Sequence, residues 1–334
     1  MYRNYGFCND VFLKDYFLSE NEMIGGSLFL LLKNILNEFL LELEIKNYSK
    51  RTLKSYKNNN LLFITFLEKD FEITEVEEVK PIHIKSYIKF LKNRGNKETY
   101  INGILKCFRA FFKYVKDEEI ISENPTDKIG WLKEERVLIK TFTDSEVSRM
   151  VDIYKGRDYM SLRNKCIMAL LFDTGIRNLE LCNLKNKDIR ERTINIKNSK
   201  GKKERNIPIS PYLRKAINRY ASCRDSFFQN RNIDENTPFF LSYRFKPLTV
   251  EAVERVVKIA GQRAEIRKEI RCSPHTCRHY FAQAQLRNGL DVYSLSRLLG
   301  HESITITKRY LQGLKDEEIV EMSMKTSPLM NLRK

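Results

Sequence analysis

Six side chains in the second half of the chain could together break a phosphodiester bond: Arg177, Lys200, His275, Arg278, His301 and Tyr310. Direct displacement at phosphorus needs a nucleophile, positive charge for the non-bridging oxygens and a proton for the departing oxygen. Tyr310 offers the nucleophile, but a phenol with a pKa of roughly 10 needs cationic neighbours and a base. Arg177 and Arg278 suit the oxygens, because a guanidinium stays charged and its planar fork matches phosphate geometry. His275 and Arg278 stand three residues apart, so one helix face presents both to the same group. Lys200 sits at an expected hairpin turn, from which a long side chain can reach a leaving oxygen and protonate it. Lys202 and Lys203 lie beside it and leave the register open among the three. Glu180, three residues beyond Arg177, is placed to hold that arginine.

Each residue has a plainer explanation on its own. An arginine after a helix-ending glycine is commonly a partner of the helix dipole, and a tyrosine usually packs. Their weight comes from their settings: Thr174-Gly175-Ile176-Arg177-Asn178-Leu179-Glu180, then His275-Thr276-Cys277-Arg278-His279, then Leu298-Leu299-Gly300-His301, with Tyr310 nine residues later. This ordered set resembles the tyrosine recombinases, a family of integrases, Xer-type resolvases and transposon-borne recombinases. The resemblance spans roughly residues 27–312.

The resemblance implies that Tyr310 attacks the scissile phosphate to form a 3′-phosphotyrosyl bond, leaving a 5′ hydroxyl that later attacks a partner strand. It implies a proton acceptor at His275, a phosphate-positioning group at His301 and a proton donor in the hairpin lysine. It further implies double-stranded DNA carrying specific recombination sites as partner. Four copies would exchange strands of two duplexes through a Holliday junction, with a monomer or weak oligomer expected without DNA. No cofactor is expected, neither metal nor ATP. No acidic cluster of the kind that holds two Mg²⁺ ions is evident, in line with a metal-free displacement. Two alternatives share the observations: a recombinase-fold protein that binds DNA architecturally or as a regulator, and a type IB topoisomerase-like enzyme. Six competent residues argue against the first; relaxation by a monomer without site preference would favour the second.

Cys272, His275, Cys277 and His279 are all metal-ligand types within eight residues. Structural zinc sites draw two pairs from separate segments, and no second pair is near, so zinc is not expected here. Composition agrees with a polyanionic partner: 60 Lys and Arg against 43 Asp and Glu give a net charge of +17 over 334 residues. Seven cysteines, odd in number and without framework spacing, read as free thiols in a reducing compartment. The most apolar run, Ser27 to Leu32, is too short to cross a membrane, so the expected location is the cytoplasm, at the nucleoid.

The elements that must position these groups follow from periodicity. The expected fold is mainly α with a small β-sheet: a helical SAM-like core-binding domain followed by a recombinase catalytic domain. Residues 1–26 read as an N-terminal extension and residues 27–120 as the core-binding domain. The first helix carries Leu28, Leu31, Leu32, Ile35, Phe39 and Leu43; a second, capped by Ser49, carries Leu53, Tyr56, Phe63 and Phe66. A third begins at Pro81 and stops at Gly95, and the fourth has the stripe Ile101, Ile104, Phe108, Phe111 and Val115. Between these faces runs a one-signed charged surface that includes Arg109, with Lys50, Arg51, Lys54 and Lys57 as candidate DNA contacts alongside Lys202, Lys203 and Arg205 of the hairpin.

Residues 121–140 read as a linker and 141–312 as the catalytic domain, opened by a capping box at Thr143-Asp144-Ser145-Glu146. A helix through Ile167, Leu170 and Leu171 ends at Gly175, and alternation at 193–196 returning at 206–209 predicts a β-hairpin. Residues 313–334 form a tail whose apolar positions suit docking on a neighbouring copy. The extension is too short to resemble a separate arm-binding domain, which favours a simpler recombinase; among a transposon or integrative-element transposase, a phage integrase and a Xer-like resolvase, its atypical character favours the mobile-element kind.

Overall fold

A computed structural model describes residues 31–135, 139–197, 204–301, 303–311 and Met324. The extension, the hairpin turn with Lys200, Lys202 and Lys203, and the tail apart from Met324 lie outside the described residues. The chain divides into two compact units, Met1–Arg136 and Val137–Lys334.

The first unit is built from α1 (Leu32–Ile45), α2 (Lys50–Phe71), α3 (Pro81–Asn93) and α4 (Glu98–Asp117). Ser49 caps α2 by accepting from the Thr52 backbone N–H at 3.2 Å, and Gly95 takes a positive φ of 77° just past α3. All five stripe residues of α4 are buried, and they pack with Leu36, Phe39 and Phe63 into one core. Leu31 departs from the expected helical stripe. It is the extended residue ahead of α1 and is 41% exposed, because α1 starts one residue later and its buried face begins at Leu32. Lys50, Arg51, Lys54 and Lys57 are exposed along α2.

The core of this unit also runs past residue 120 into the expected linker. Ile129 is buried within it, the Arg109 guanidinium donates to the Ile129 carbonyl, and that guanidinium lies 4.2 Å from the Trp131 ring centroid. Asn102 adds a two-way backbone contact to Leu132, at 3.0 and 2.9 Å. Arg109 is thereby a structural clasp, although the sequence places it on the charged face.

The second unit opens with α5 (Asp144–Asp152), whose capping box is complete: Thr143 N–H donates to Glu146 at 2.8 Å and Glu146 N–H donates to the Thr143 hydroxyl at 3.3 Å. Then follow α6 (Tyr159–Thr174), α7 (Asn178–Asn183), a 3₁₀ turn and the antiparallel hairpin of β1 (Thr193–Ile196) with β2 (Arg205–Pro208). Ile196 pairs with Arg205 and Thr193 with Pro208. Among the described residues five helices complete it: α8 (Pro211–Phe227), α9 (Val250–Arg263), α10 (Pro274–Arg287), α11 (Val292–Leu299) and α12 (Ile304–Leu311). Helix α6 is central, with Cys166 to Leu171 all buried in the main core. A smaller cluster of Phe281, Ala282, Leu286, Leu295 and Leu299 receives Tyr310. The six described cysteines are free, and among the described residues no helix is long and apolar enough to cross a membrane.

Candidate active site

Helix α6 stops because Gly175 turns left-handed, at φ 59°. A side chain there would be strained and also obstructed, since a Cβ would lie 2.4 Å from the Phe281 ring and 3.1 Å from Leu299. The turn delivers Arg177 to the residue just before α7. One turn on, Glu180 accepts from the Arg177 backbone N–H and from its Nη1, both at 3.0 Å. The same carboxylate accepts from Arg205 twice, at 2.9 and 2.6 Å, in a bidentate pair whose two side chains are only 11% and 14% exposed. Burial works to raise the Glu180 pKa, but Arg205 and then Arg177 outweigh it and hold it below its usual value.

Arg205 therefore faces inward. Its Nε also donates to the Leu298 carbonyl at 2.8 Å, and its guanidinium lies where a Cβ on Gly300 would be, 2.9 Å from Nη1. The sequence offers it as a DNA contact, whereas its donors are engaged with Glu180 and the end of α11. No local pattern signals this, because its partners lie 25 and 93 residues away.

Two more backbone carbonyls fix the second arginine. Arg278 is buried, and its Nη1 and Nη2 donate to the carbonyls of Gly175 and Leu299, each at 2.6 Å. Arg177 donates likewise from Nη2 to the Gly300 carbonyl, at 2.7 Å. Burial, with Arg177 close by, pulls the Arg278 pKa from 12.5 to about 10, a cost to the charged form of roughly 3 kcal/mol. An arriving anion would offset that cost. Gly300 ends α11 with φ 64°, which turns His301 back so that its Nδ1 meets the Thr307 hydroxyl at 2.7 Å. Burial and the three arginines 278, 177 and 205 take the His301 pKa down to about 4.

Tyr310, on α12, is 3% exposed, and its hydroxyl lies 3.0 Å from Nδ1 of His279. Burial raises its pKa, and the charges of Arg278 and Arg177 act in the opposite direction. His279 is driven down to about 4 by burial, His275 and Arg278, so its ring is neutral near pH 7. His275, one turn earlier on α10, is exposed and lies against His279, with ring centroids 4.2 Å apart. Of the six residues singled out in sequence, five thus lie within one connected cluster, and Lys200 lies outside the described residues. His279 is the site residue that sequence reading did not single out for this chemistry. Its sequence signal, one position after Arg278 and four after His275, marks it there only as a metal-ligand type. Cys277 of that same cluster is fully buried and Cys272 packs against Gly261. Among the described residues no group of three or more His, Cys, Asp or Glu is placed to hold a metal ion.

The arrangement is a phenol set beside two clamped guanidiniums and neutral imidazoles, a site suited to in-line attack on a phosphodiester. The family described as "Phage integrase family" matches residues 140–317, which contain the whole cluster. The chain belongs to this family of tyrosine recombinases. A second match, to the integrase N-terminal SAM-like domain, covers residues 35–122 of the helical unit. Tyrosine recombinase XerC of Thermodesulfovibrio yellowstonii is 30% identical over 299 residues, 89% of this chain and 95% of that protein. Tyrosine recombinase XerD of Halalkalibacterium halodurans is 30% identical over 272 residues, 81% of this chain and 89% of that one. The fold is shared with the XerH site-specific recombinase in a post-cleavage complex with a palindromic difH substrate, at a TM-score of 0.70 and 18% identity over 88% of this chain and 90% of that chain. It is shared also with a lambda integrase dimer bound to a core site, at a TM-score of 0.67 and 19% identity over 83% and 97%. This recombinase is accordingly an enzyme of site-specific DNA strand breakage and rejoining.

Proposed function

We propose that this recombinase cleaves by attack of Tyr310 on the scissile phosphate, forming a 3′-phosphotyrosyl bond and freeing a 5′ hydroxyl. The observation that carries the reading is the Tyr310 hydroxyl held in a cluster whose two arginines are already clamped by the carbonyls of Gly175, Leu299 and Gly300. Arg177 and Arg278 bind the non-bridging oxygens, helped by His275 and His301, while Glu180 steadies Arg177. Lys200 protonates the leaving oxygen. The arginines serve the purpose that divalent ions serve in two-metal nucleases. Bond energy is retained in the phosphotyrosine, so rejoining needs no nucleotide hydrolysis.

The partner is double-stranded DNA, in line with the net charge of +17 and with the DNA complexes of the structural neighbours. Lys50, Arg51, Lys54 and Lys57, exposed on α2, together with Lys202 and Lys203, contact its backbone. Four copies act on two duplexes and pass through a Holliday junction, in the cytoplasm at the nucleoid. Integration, transposition and resolution share this strand chemistry and differ in the sites supplied.

A nicked suicide duplex carrying the protein's own site tests the reading. A covalent adduct that survives denaturation is expected with wild type and not with Tyr310→Phe. An adduct with both proteins moves the nucleophile elsewhere. Tight binding of the site without any adduct favours the architectural alternative.

A further inference from the structure

His279 needs a role. It is the group in direct contact with the Tyr310 hydroxyl, at 3.0 Å through Nδ1. His275 lies on the outer side of the pair, exposed, with its ring against that of His279. Both histidines sit on α10, one turn apart, so the contact is decided by where α12 crosses: it lays Tyr310 over the second imidazole and not the first.

We propose that His279, in place of His275 to which the resemblance assigns proton acceptance, is the base that takes the phenolic proton of Tyr310 during cleavage and returns it during rejoining, leaving His275 to meet the DNA phosphate. The inference rests on the recombinase reading above. With its own proton on Nε2, the ring presents an Nδ1 lone pair to the phenol, which donates to it. As the O–H bond breaks, the proton passes to Nδ1 and the oxygen's electron pair forms the bond to phosphorus. The bond from phosphorus to the 5′ oxygen breaks, and that oxygen takes a proton from Lys200. Rejoining runs the same steps backward, so His279 ends neutral and no other reactant is required.

The surroundings suit a base that is switched on by substrate. The positive groups facing this corner are Arg278 and, when protonated, His275 of α10, Arg177 ahead of α7, and Arg309 of α12. Burial first, then His275 and Arg278, oppose a positive charge on the ring and keep His279 a neutral acceptor in the free enzyme. A phosphodiester seated on the arginines supplies the compensating negative charge and raises the basicity of the imidazole when it is needed.

The test is single-turnover cleavage of the nicked duplex by the full chain, comparing His279→Asn with His279→Ala. Asparagine keeps a hydrogen-bonding atom near the position of Nδ1 but cannot accept a proton at neutral pH. If His279 is the base, both variants lose about 10²-fold or more in rate, and added imidazole restores His279→Ala but not Tyr310→Phe. Wild-type rate in His279→Asn would overturn the proton transfer while leaving the nucleophile intact; no adduct from wild type would overturn the recombinase reading itself. A measurement free of any folding defect is the ¹⁵N spectrum of the His279 ring in the unmodified protein. A proton on Nε2 is expected, and a proton on Nδ1 overturns the assignment.

Discussion

Replacing Glu180 by glutamine should expose how much of the site's order depends on one carboxylate. That carboxylate accepts from Arg177 and Arg205, and the second pair is nearly closed to solvent, with side chains 14% and 11% exposed. Removing one partner of such a pair leaves the other charge buried, which typically costs about 3–5 kcal/mol. Glutamine retains one acceptor oxygen and Arg177 is 41% exposed, so about 2–4 kcal/mol is expected here. For a unit of this size, that lowers Tm by roughly 5–12 °C. The assay is calorimetric or circular-dichroism melting of wild type, Glu180→Gln, Arg205→Met and the double variant. The double variant has no unpaired guanidinium at position 205, so it should be more stable than the two single losses predict, by about 1–3 kcal/mol. Losses that add to within about 0.5 kcal/mol, or a Glu180→Gln protein melting with wild type, would refute the reasoning.

Gly175→Ala should cost about 2–5 kcal/mol, combining the left-handed backbone penalty with overpacking; its φ is 59° and its Cβ would lie 2.4 Å from Phe281. Urea unfolding reads this directly. Acid should weaken the catalytic unit through Glu146, whose carboxyl is held down to about 2 from 4.5 chiefly by Arg267. A carboxyl lowered in the folded state contributes stability above about pH 4.5, and that contribution is lost as pH falls from there toward 2. Because Arg267 is 44% exposed, the effect is put at about 1–2 kcal/mol. Melting against pH should show it, and Glu146→Gln should flatten that part of the curve.

Sequence reading succeeded where the determining interaction is local. The stripe on α4, the caps at Ser49 and Thr143 and the stop at Gly175 each depend on residues within a turn or two, and all appear where the spacing placed them. Leu31 failed because periodicity marks a face but not the residue at which a helix begins. Arg109 and Arg205 read as solvent or DNA contacts because charge in sequence carries no address; their partners are a carbonyl 20 residues on and a carboxylate 25 residues back. The linear pattern singles out His275, three residues before Arg278, and only the packing of α12 against α10 brings His279 to the Tyr310 hydroxyl.

The described part of α12 buries little of itself. Of the described residues Ile304–Leu311 only Thr307 and Tyr310 are buried, while Ile304, Ile306 and Leu311 remain 38–46% exposed. The tyrosine proposed as nucleophile is thus also the peg that keeps these residues seated. Tyr310→Phe therefore removes the hydroxyl and keeps the peg in the Phe281, Leu295 and Leu299 cluster, whereas Tyr310→Ala removes both.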